Sequence, residues 1–220
     1  MKKTLLLLVF LLMPLLAAQA QVFRIGAKVG GGFSMAAGSD ASSDYTNSLA
    51  GLHAGFLFAF EFTPAFSAQF EPQYSQKGFV YENYPISATE ALNGDLRLHY
   101  LELPLMFRYR KAALFLEAGP YAGYLLAVNS DVKLINPNDP NPEDPVILGD
   151  QDYSRSDFKD MDYGYAVGAG ITLTNGFSFG FRHMGSLRSI PAGDMSQRNV
   201  VFQLSLGYLL PASRTMNYPY

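Results

Sequence analysis

The chain has 220 residues, 16 Lys and Arg against 19 Asp and Glu, and 14% aromatic side chains that are all Phe or Tyr. A formal charge of −3 argues against a nucleic-acid partner, and the lack of cysteine excludes disulfides, thiolate metal sites and a cysteine-linked lipid anchor within these residues. Low charge, many aromatics and 20 glycines suit a sheet facing lipid better than one facing water.

The chain opens on Lys2 and Lys3, continues through an apolar run from Leu5 to Leu16 and reaches Ala18-Gln19-Ala20. A basic start, a short apolar core and an A-x-A site read as a secretory signal peptide over 1–20. The run falls short of the ~20 residues a spanning helix needs. Cleavage after Ala20 removes both lysines, takes the formal charge from −3 to −5 and leaves about 200 residues, enough for one domain. No later segment approaches ~18 consecutive apolar residues, so helical spans are not expected.

From residue 22 onward the hydrophobic pattern has period two, the mark of strands whose alternate side chains face opposite ways. The first predicted strand, 22–33, sets Phe23, Ile25, Ala27, Val29 and Phe33 against Arg24, Gly26, Lys28 and Gly30. The second, 52–62, carries Phe56, Phe58, Phe60 and Phe62 opposite His53, Gly55, Ala59 and Glu61. The third, 66–77, shows Phe66, Ala68, Phe70 and Tyr74 on one face and Gln69, Glu71, Gln73 and Lys77 on the other. The fourth, 96–109, sets Leu101, Leu103, Leu105, Phe107 and Tyr109 against Tyr100, Glu102, Met106 and Arg108.

The fifth, 113–126, has Leu114, Leu116, Ala118 and Tyr124 opposite Glu117, Gly119, Tyr121 and Gly123. The sixth, 161–173, sets Tyr163, Tyr165, Val167, Ala169 and Ile171 against Asp162, Gly164, Gly168 and Gly170. Asn175-Gly176 is a hairpin signal leading to the seventh, with Phe177, Phe179 and Phe181 opposite Ser178, Gly180 and Arg182. The eighth, 199–210, pairs an apolar face of Val200, Phe202, Leu204, Leu206 and Tyr208 with Gln203, Ser205 and Gly207.

Long connections at 34–50, 78–95, 127–160 and 188–198 alternate with tight ones at 63–65, 110–112 and 174–176. Outer-membrane barrels show this alternation, with short periplasmic turns, longer extracellular loops and an even strand count. The expected fold is therefore an all-β, eight-stranded antiparallel up-and-down transmembrane β-barrel in the cell outer membrane. It occupies 21–210, between the signal peptide at 1–20 and a C-terminal tail at 211–220. Pro72, Pro104 and Pro120 fall inside predicted strands, where each removes a ladder donor, so bulges or strand ends are expected there.

An eight-stranded barrel is just wide enough to be filled by its own side chains. The expected inward charges are Arg24, Lys28, Lys77, Arg108 and Arg182 against Glu61, Glu71, Glu102, Glu117 and Asp162, five of each sign. Such a balanced set reads as an internal salt-bridge network, since charges sealed from water must be paired. The inward glycines are expected to leave room for the long Arg and Lys side chains. A charge-selective channel would show one sign in excess.

Evidence for catalysis is thin. His53 and His99 are expected near the outer ends of their strands, and His183 lies two residues short of Gly185 and three short of Ser186. Outer-membrane lipid A deacylases use a His-x-Ser pair, whereas here the spacing is His-x-x-Ser, which points the two side chains to opposite faces. No catalytic residues, metal site or cofactor are therefore expected. The acidic, proline-rich stretch within 127–160, including Asp139, Glu143 and Asp144, has oxygen ligands enough for Ca²⁺ but lacks an EF-hand's ordered spacing, and reads as a solvated loop.

Two segments, His99-Tyr100-Leu101-Glu102-Leu103-Pro104-Leu105-Met106-Phe107-Arg108-Tyr109 and Leu116-Glu117-Ala118-Gly119-Pro120-Tyr121-Ala122-Gly123-Tyr124, resemble characteristic strands of the PorT-like outer membrane β-barrel proteins of the Bacteroidetes. The opening Ile25-Gly26-Ala27-Lys28-Val29-Gly30-Gly31-Gly32-Phe33-Ser34 is similar to that family's first strand. The resemblance implies an eight-stranded barrel in a Gram-negative outer membrane, and its founding member is tied to type IX secretion and gliding. The expected function is a non-enzymatic anchor or binding component that acts through extracellular loops. Its expected partners are outer-membrane lipid and lipopolysaccharide and a protein bound at the loops. The alternatives are a small porin and, behind it, an outer-membrane lipid-modifying enzyme.

Overall fold

The computed structural model describes residues 22–39, 41, 44–138, 145–193 and 195–211. The signal-peptide reading of 1–20, the tail beyond Pro211 and the acidic residues Asp139, Glu143 and Asp144 lie outside them. Among the described residues ten strands follow one another: β1 (Val22–Ala37), β2 (Thr46–Glu61), β3 (Phe66–Phe70), β4 (Gln73–Pro85), β5 (Ala91–Lys111), β6 (Leu114–Ile135), β7 (Ile147–Asp150), β8 (Met161–Thr172), β9 (Phe177–Ser186) and β10 (Arg198–Leu209). No helix among the described residues is long and apolar enough to cross a membrane.

Every pairing is antiparallel, and the sheet closes on itself when β10 pairs with β1. β3 and β4 are two halves of one strand. They lie between β2 and β5, with Phe70 opposite Leu105 before the break and Gln73 opposite Glu102 after it, an unchanged register. The ring therefore has eight strands. β7 stands outside it, paired with the far end of β6.

Alternation decides which side chains enter the ring. On β1, Phe23, Ile25, Val29 and Phe33 are exposed, while Lys28 and Ser34 are buried inside. The same holds around the wall, leaving a band of exposed apolar side chains that includes Phe56, Phe107, Leu114, Leu116, Phe179 and Leu204. On β5 this band runs from Tyr109 to Leu101, the ~9–11 residues with which a tilted strand crosses a bilayer. Above it the outward positions become His99, Arg97, Asp95 and Asn93.

β5 and β6 are 21 and 22 residues long, about twice one crossing. The connection expected at 78–95 is thus largely strand, and the one expected at 127–160 begins as the end of β6. Only 86–90 links β4 to β5, and the second connection contains the end of β6, the short β7 and a 3-10 turn at Arg155–Asp157. His53 and His99 consequently sit mid-strand, not at strand ends. The cause is apolar side chains within those segments. Phe79, Tyr81, Leu92, Leu96, Leu98, Tyr100, Leu125 and Val132 form a core above the membrane band, joined by Phe158 and Ile190 from the connections. The 3-10 turn is tied beneath it by Lys159 N–H to Ile190 O at 2.9 Å and Ala192 N–H to Asp157 O at 2.9 Å.

Pro72 ends a strand as expected, but without a bulge. Phe56 still donates to the Pro72 carbonyl at 2.9 Å, and Glu71 donates to the Pro104 carbonyl at 3.0 Å. Pro104 and Pro120 stay inside continuous strands. The β5–β6 ladder lapses only between Pro104–Tyr121 and Phe107–Ala118. Two register shifts lie higher, between Ser48 and His53 on β2 and at Leu126 on β6, level with one another across β4 and β5, and two more lie farther out, between Tyr81 and Tyr84 on β4 and between Leu134 and Ile135 on β6. Gly78, level with the first two, has φ +139°, and a Cβ there would meet the Leu96 carbonyl at 1.9 Å.

The β6 bulge exchanges faces. Leu125 pairs with Tyr100 and Ala127 with His99, leaving Leu126 without a partner. Below it the even positions Leu114, Leu116, Tyr124 and Leu126 face out; above it Val128, Val132 and Leu134 turn toward the core. Deleting Leu126 is expected to return those three residues to water and expose the crown core. Limited proteolysis should then cut 127–160 while the membrane band stays protected, and a crown as resistant as the wild type would refute the assignment.

Candidate functional site

The ten ionisable residues expected in the lumen occupy inward positions and make three groups. At the tight-turn end Arg24 pairs with Glu61 at 3.2 Å. Higher up, Glu71 receives Lys28 at 2.6 Å and Arg182 at 2.7 Å, Arg182 also reaches Glu117 at 2.6 Å, and Glu117 is held by Arg108 at 2.7 Å. Nearest the crown, Lys77 lies 2.5 Å from Glu102 and 2.9 Å from Asp162.

Arg182 is the joint of the middle group. Its guanidinium donates to both oxygens of Glu71 and to Oε1 of Glu117, a planar fork that a lysine could not reproduce. Arg108 adds a face-on contact with Phe115, 3.9 Å from the ring centroid. Lys77 lies over Tyr121 at 4.5 Å and Tyr100 at 5.2 Å. Its carboxylate partners are held in turn by Gln73 and Tyr121, which alternation also places inward, and by Ser186, which it does not name. Gln73 donates to Glu102 at 2.8 Å, Tyr121 donates to Asp162 at 3.2 Å, and Ser186 donates to the other Asp162 oxygen.

Between the middle and upper groups the lumen is filled by Met106, Tyr121, Ala166, Met184 and Val201, and above both lies the crown core. Two spaces of about 20 Å³ remain toward the tight-turn end, each close to the room one water needs. The inward glycines admit rings and carboxylates, not Arg and Lys. A Cβ at Gly30 would strike the His53 ring, one at Gly170 the Phe115 ring, and one at Gly164 both the Gly185 carbonyl and the Tyr121 ring.

The three histidines are dispersed. His53 is inside, with Nε2 2.8 Å from Ser205 Oγ. His99 is on the outer wall beside Tyr74, and His183 is on the outer wall between Tyr165 and Phe202. Ser186 points inward to Asp162, so His183 and Ser186 lie on opposite sides of β9. Among the described residues no three carboxylates and imidazoles converge as a metal site would require.

A closed eight-strand ring with an apolar outer band and an ionic lumen is the arrangement of an outer-membrane barrel, and the family model described as outer membrane protein beta-barrel domain matches residues 18–191. The chain belongs to that family. No curated protein sequence matches it. Among solved structures it is similar to Neisserial surface protein A, at 9% identity over 84% of this chain and 96% of that one, with a TM-score of 0.48. It is also similar to Ail of Yersinia pestis in complex with the heparin analogue sucrose octasulfate, at 15% identity over 86% and 99%, with a TM-score of 0.45. The N-terminal barrel of OprF from Pseudomonas aeruginosa aligns at 10% identity over 84% and 97%, with a TM-score of 0.34.

In this outer-membrane barrel the tight turns are the periplasmic end and the crown is extracellular. Removing Lys77 leaves Glu102 and Asp162 together with no cation. Lys77→Met is expected to destabilise the barrel by about 3–5 kcal/mol, measured by denaturant unfolding in lipid vesicles. The triple variant Lys77→Met, Glu102→Gln, Asp162→Asn should recover most of that loss. A single variant as stable as the wild type would show that the triad is not sealed from water.

Proposed function

We propose that this outer-membrane barrel is a closed, non-enzymatic anchor that binds a protein partner through its extracellular crown, within the PorT-like branch of the Bacteroidetes and as an accessory to secretion. The observation that carries this reading is the filled lumen, in which three ionic groups, the layer around Met106 and Met184, and the crown core succeed one another along the axis. The PorT-like assignment is supported by where its motifs fall. His99–Tyr109 and Leu116–Tyr124 lie on the adjacent strands β5 and β6 and supply Glu102, Met106, Arg108, Glu117 and Tyr121 to the lumen. A binding role is supported by a crown built of paired strands. Its edge strand β7 exposes Ile147 and Leu148 to solvent. Contact with lipid and lipopolysaccharide is favoured by Tyr74, Gln76, His99 and Arg97 at the upper rim of the apolar band, where polar side chains meet head groups.

A closed lumen predicts no steady conductance from the purified barrel in planar bilayers; large, stable, ion-selective currents would replace this reading with that of a small porin. The absence of catalysis is supported by the opposed directions of His183 and Ser186. Replacing both by alanine is expected to leave the lipid A mass spectrum of expressing cells unchanged relative to the wild-type barrel. A difference in acyl-chain number between the two strains would establish a lipid-modifying enzyme.

A further inference from the structure

The five-and-five balance of the lumen conceals a separation of charge. The periplasmic half holds Arg24, Lys28, Arg108 and Arg182 against Glu61, Glu71 and Glu117, one cation in excess. The outer half holds Lys77 against Glu102 and Asp162, one carboxylate in excess. On three wall strands an apolar residue separates the two: Met106 lies between Glu102 and Arg108, Ala166 follows Asp162, and Met184 follows Arg182, while Gln73 and Ser75 separate Glu71 from Lys77. The excess cation therefore has no direct partner across the divide.

Hydrogen-bond counting in the periplasmic half gives the same asymmetry. All four oxygens of Glu71 and Glu117 already accept from Lys28, Arg108 or Arg182. The donors are not all used. Lys28 has three N–H groups and gives one bond, to Glu71. Arg108 donates through Nε and Nη2 to Glu117 and makes no bond from Nη1 among the described residues. Both residues line one space of about 20 Å³, together with Arg182, Glu117, Phe115, Ser178, Ser205 and Leu57. Arg108 also lines the periplasmic mouth with Arg24 and Arg110, so it borders both spaces.

We propose that this space is a binding site for one monatomic anion, chloride in the cell, held by Lys28 and Arg108 with the Ser178 hydroxyl. A site with unused donors on Lys28 and Arg108 and one uncompensated positive charge in a low-dielectric interior selects an anion over a cation or a water molecule. The volume is close to that of one water-sized occupant, which favours a monatomic anion over a tetrahedral oxyanion. The site is independent of whatever the crown binds.

The test uses the full barrel refolded in detergent. Crystals grown in bromide should show an anomalous peak within hydrogen-bonding distance of Lys28 Nζ and Arg108. Thermal unfolding midpoints should be about 3 °C higher in chloride or bromide than in gluconate at equal ionic strength. Lys28→Met removes the excess charge while Glu71 keeps its two Arg182 bonds, and should abolish both the peak and the halide-specific shift. An empty anomalous map for the wild type overturns the proposal, as does a halide shift that survives in Lys28→Met. If that variant does not fold, the wild-type bromide map alone decides.

Discussion

Inside a bilayer no water is available to bond a free peptide group, so a sheet that crosses must close. Here closure is the pairing of β1 with β10, running from Gly26–Leu209 to Ala37–Arg198, and the remaining features follow from it. A ring of eight strands has an interior no wider than its own side chains. Whatever the sequence places at inward positions must therefore pack and pair with what faces it. Most of the ionisable groups placed there have no water to retreat to, Arg24 and Glu61 at the periplasmic mouth keeping part of their surface exposed, and their pairing follows from geometry. Arg182 on β9 meets Glu71 beyond β3 and Glu117 on β6 because the ring brings distant strands within one side chain's reach.

An ionic lumen is not the most stable filling for such a space. Well-packed apolar residues often do as well or better than buried ion pairs. What the charges add is intolerance of error. A slip of one residue between two strands turns every inward side chain outward, and for β9 that would drive Arg182 into hydrocarbon. An apolar lumen inside an apolar band would leave register almost unspecified, since both faces would look alike. The polar interior is thus what distinguishes inside from outside along strands such as β2, β5 and β8.

This contrast is also what made the barrel legible from sequence. Within the band, period-two alternation identified the eight crossings and the ten inward charges by residue number. Above the band the same reading failed, because the solvent on the outer face changes from lipid to water and the chemistry of each face inverts. Phe79, Tyr81, Leu92 and Leu96 lie among Gly78, Asn83, Pro85 and Gly94, and without a known membrane limit those breakers read as loop. The pairing of particular charges was not legible either. Alternation states that Glu117 points inward, but only the closed ring shows that it faces Arg182 and Arg108 and not Lys28. The supporting residues Gln73, Tyr121 and Ser186 are ordinary polar positions whose role depends on a partner several strands away.

Two neighbouring strands solve the inversion in different ways. On β5 the backbone continues without interruption and the sequence changes phase. Leu92, Leu96, Leu98 and Tyr100 are inward in the crown, and from Leu101 onward the apolar residues are the outward ones. On β6 the sequence keeps its phase, with apolar residues at the even positions from Leu114 to Leu134 except Ser130, and the backbone changes instead. The extra residue at Leu126 turns the even positions from lipid to crown core. Both changes fall at one level, between Tyr100 and Leu101 on one strand and at Leu126 on the other, level with the shift between Ser48 and His53 on β2. A bulge is ordinarily a local loss of pairing. Here it lets one uninterrupted alternation serve two solvents, and its height on the strand marks where the membrane ends.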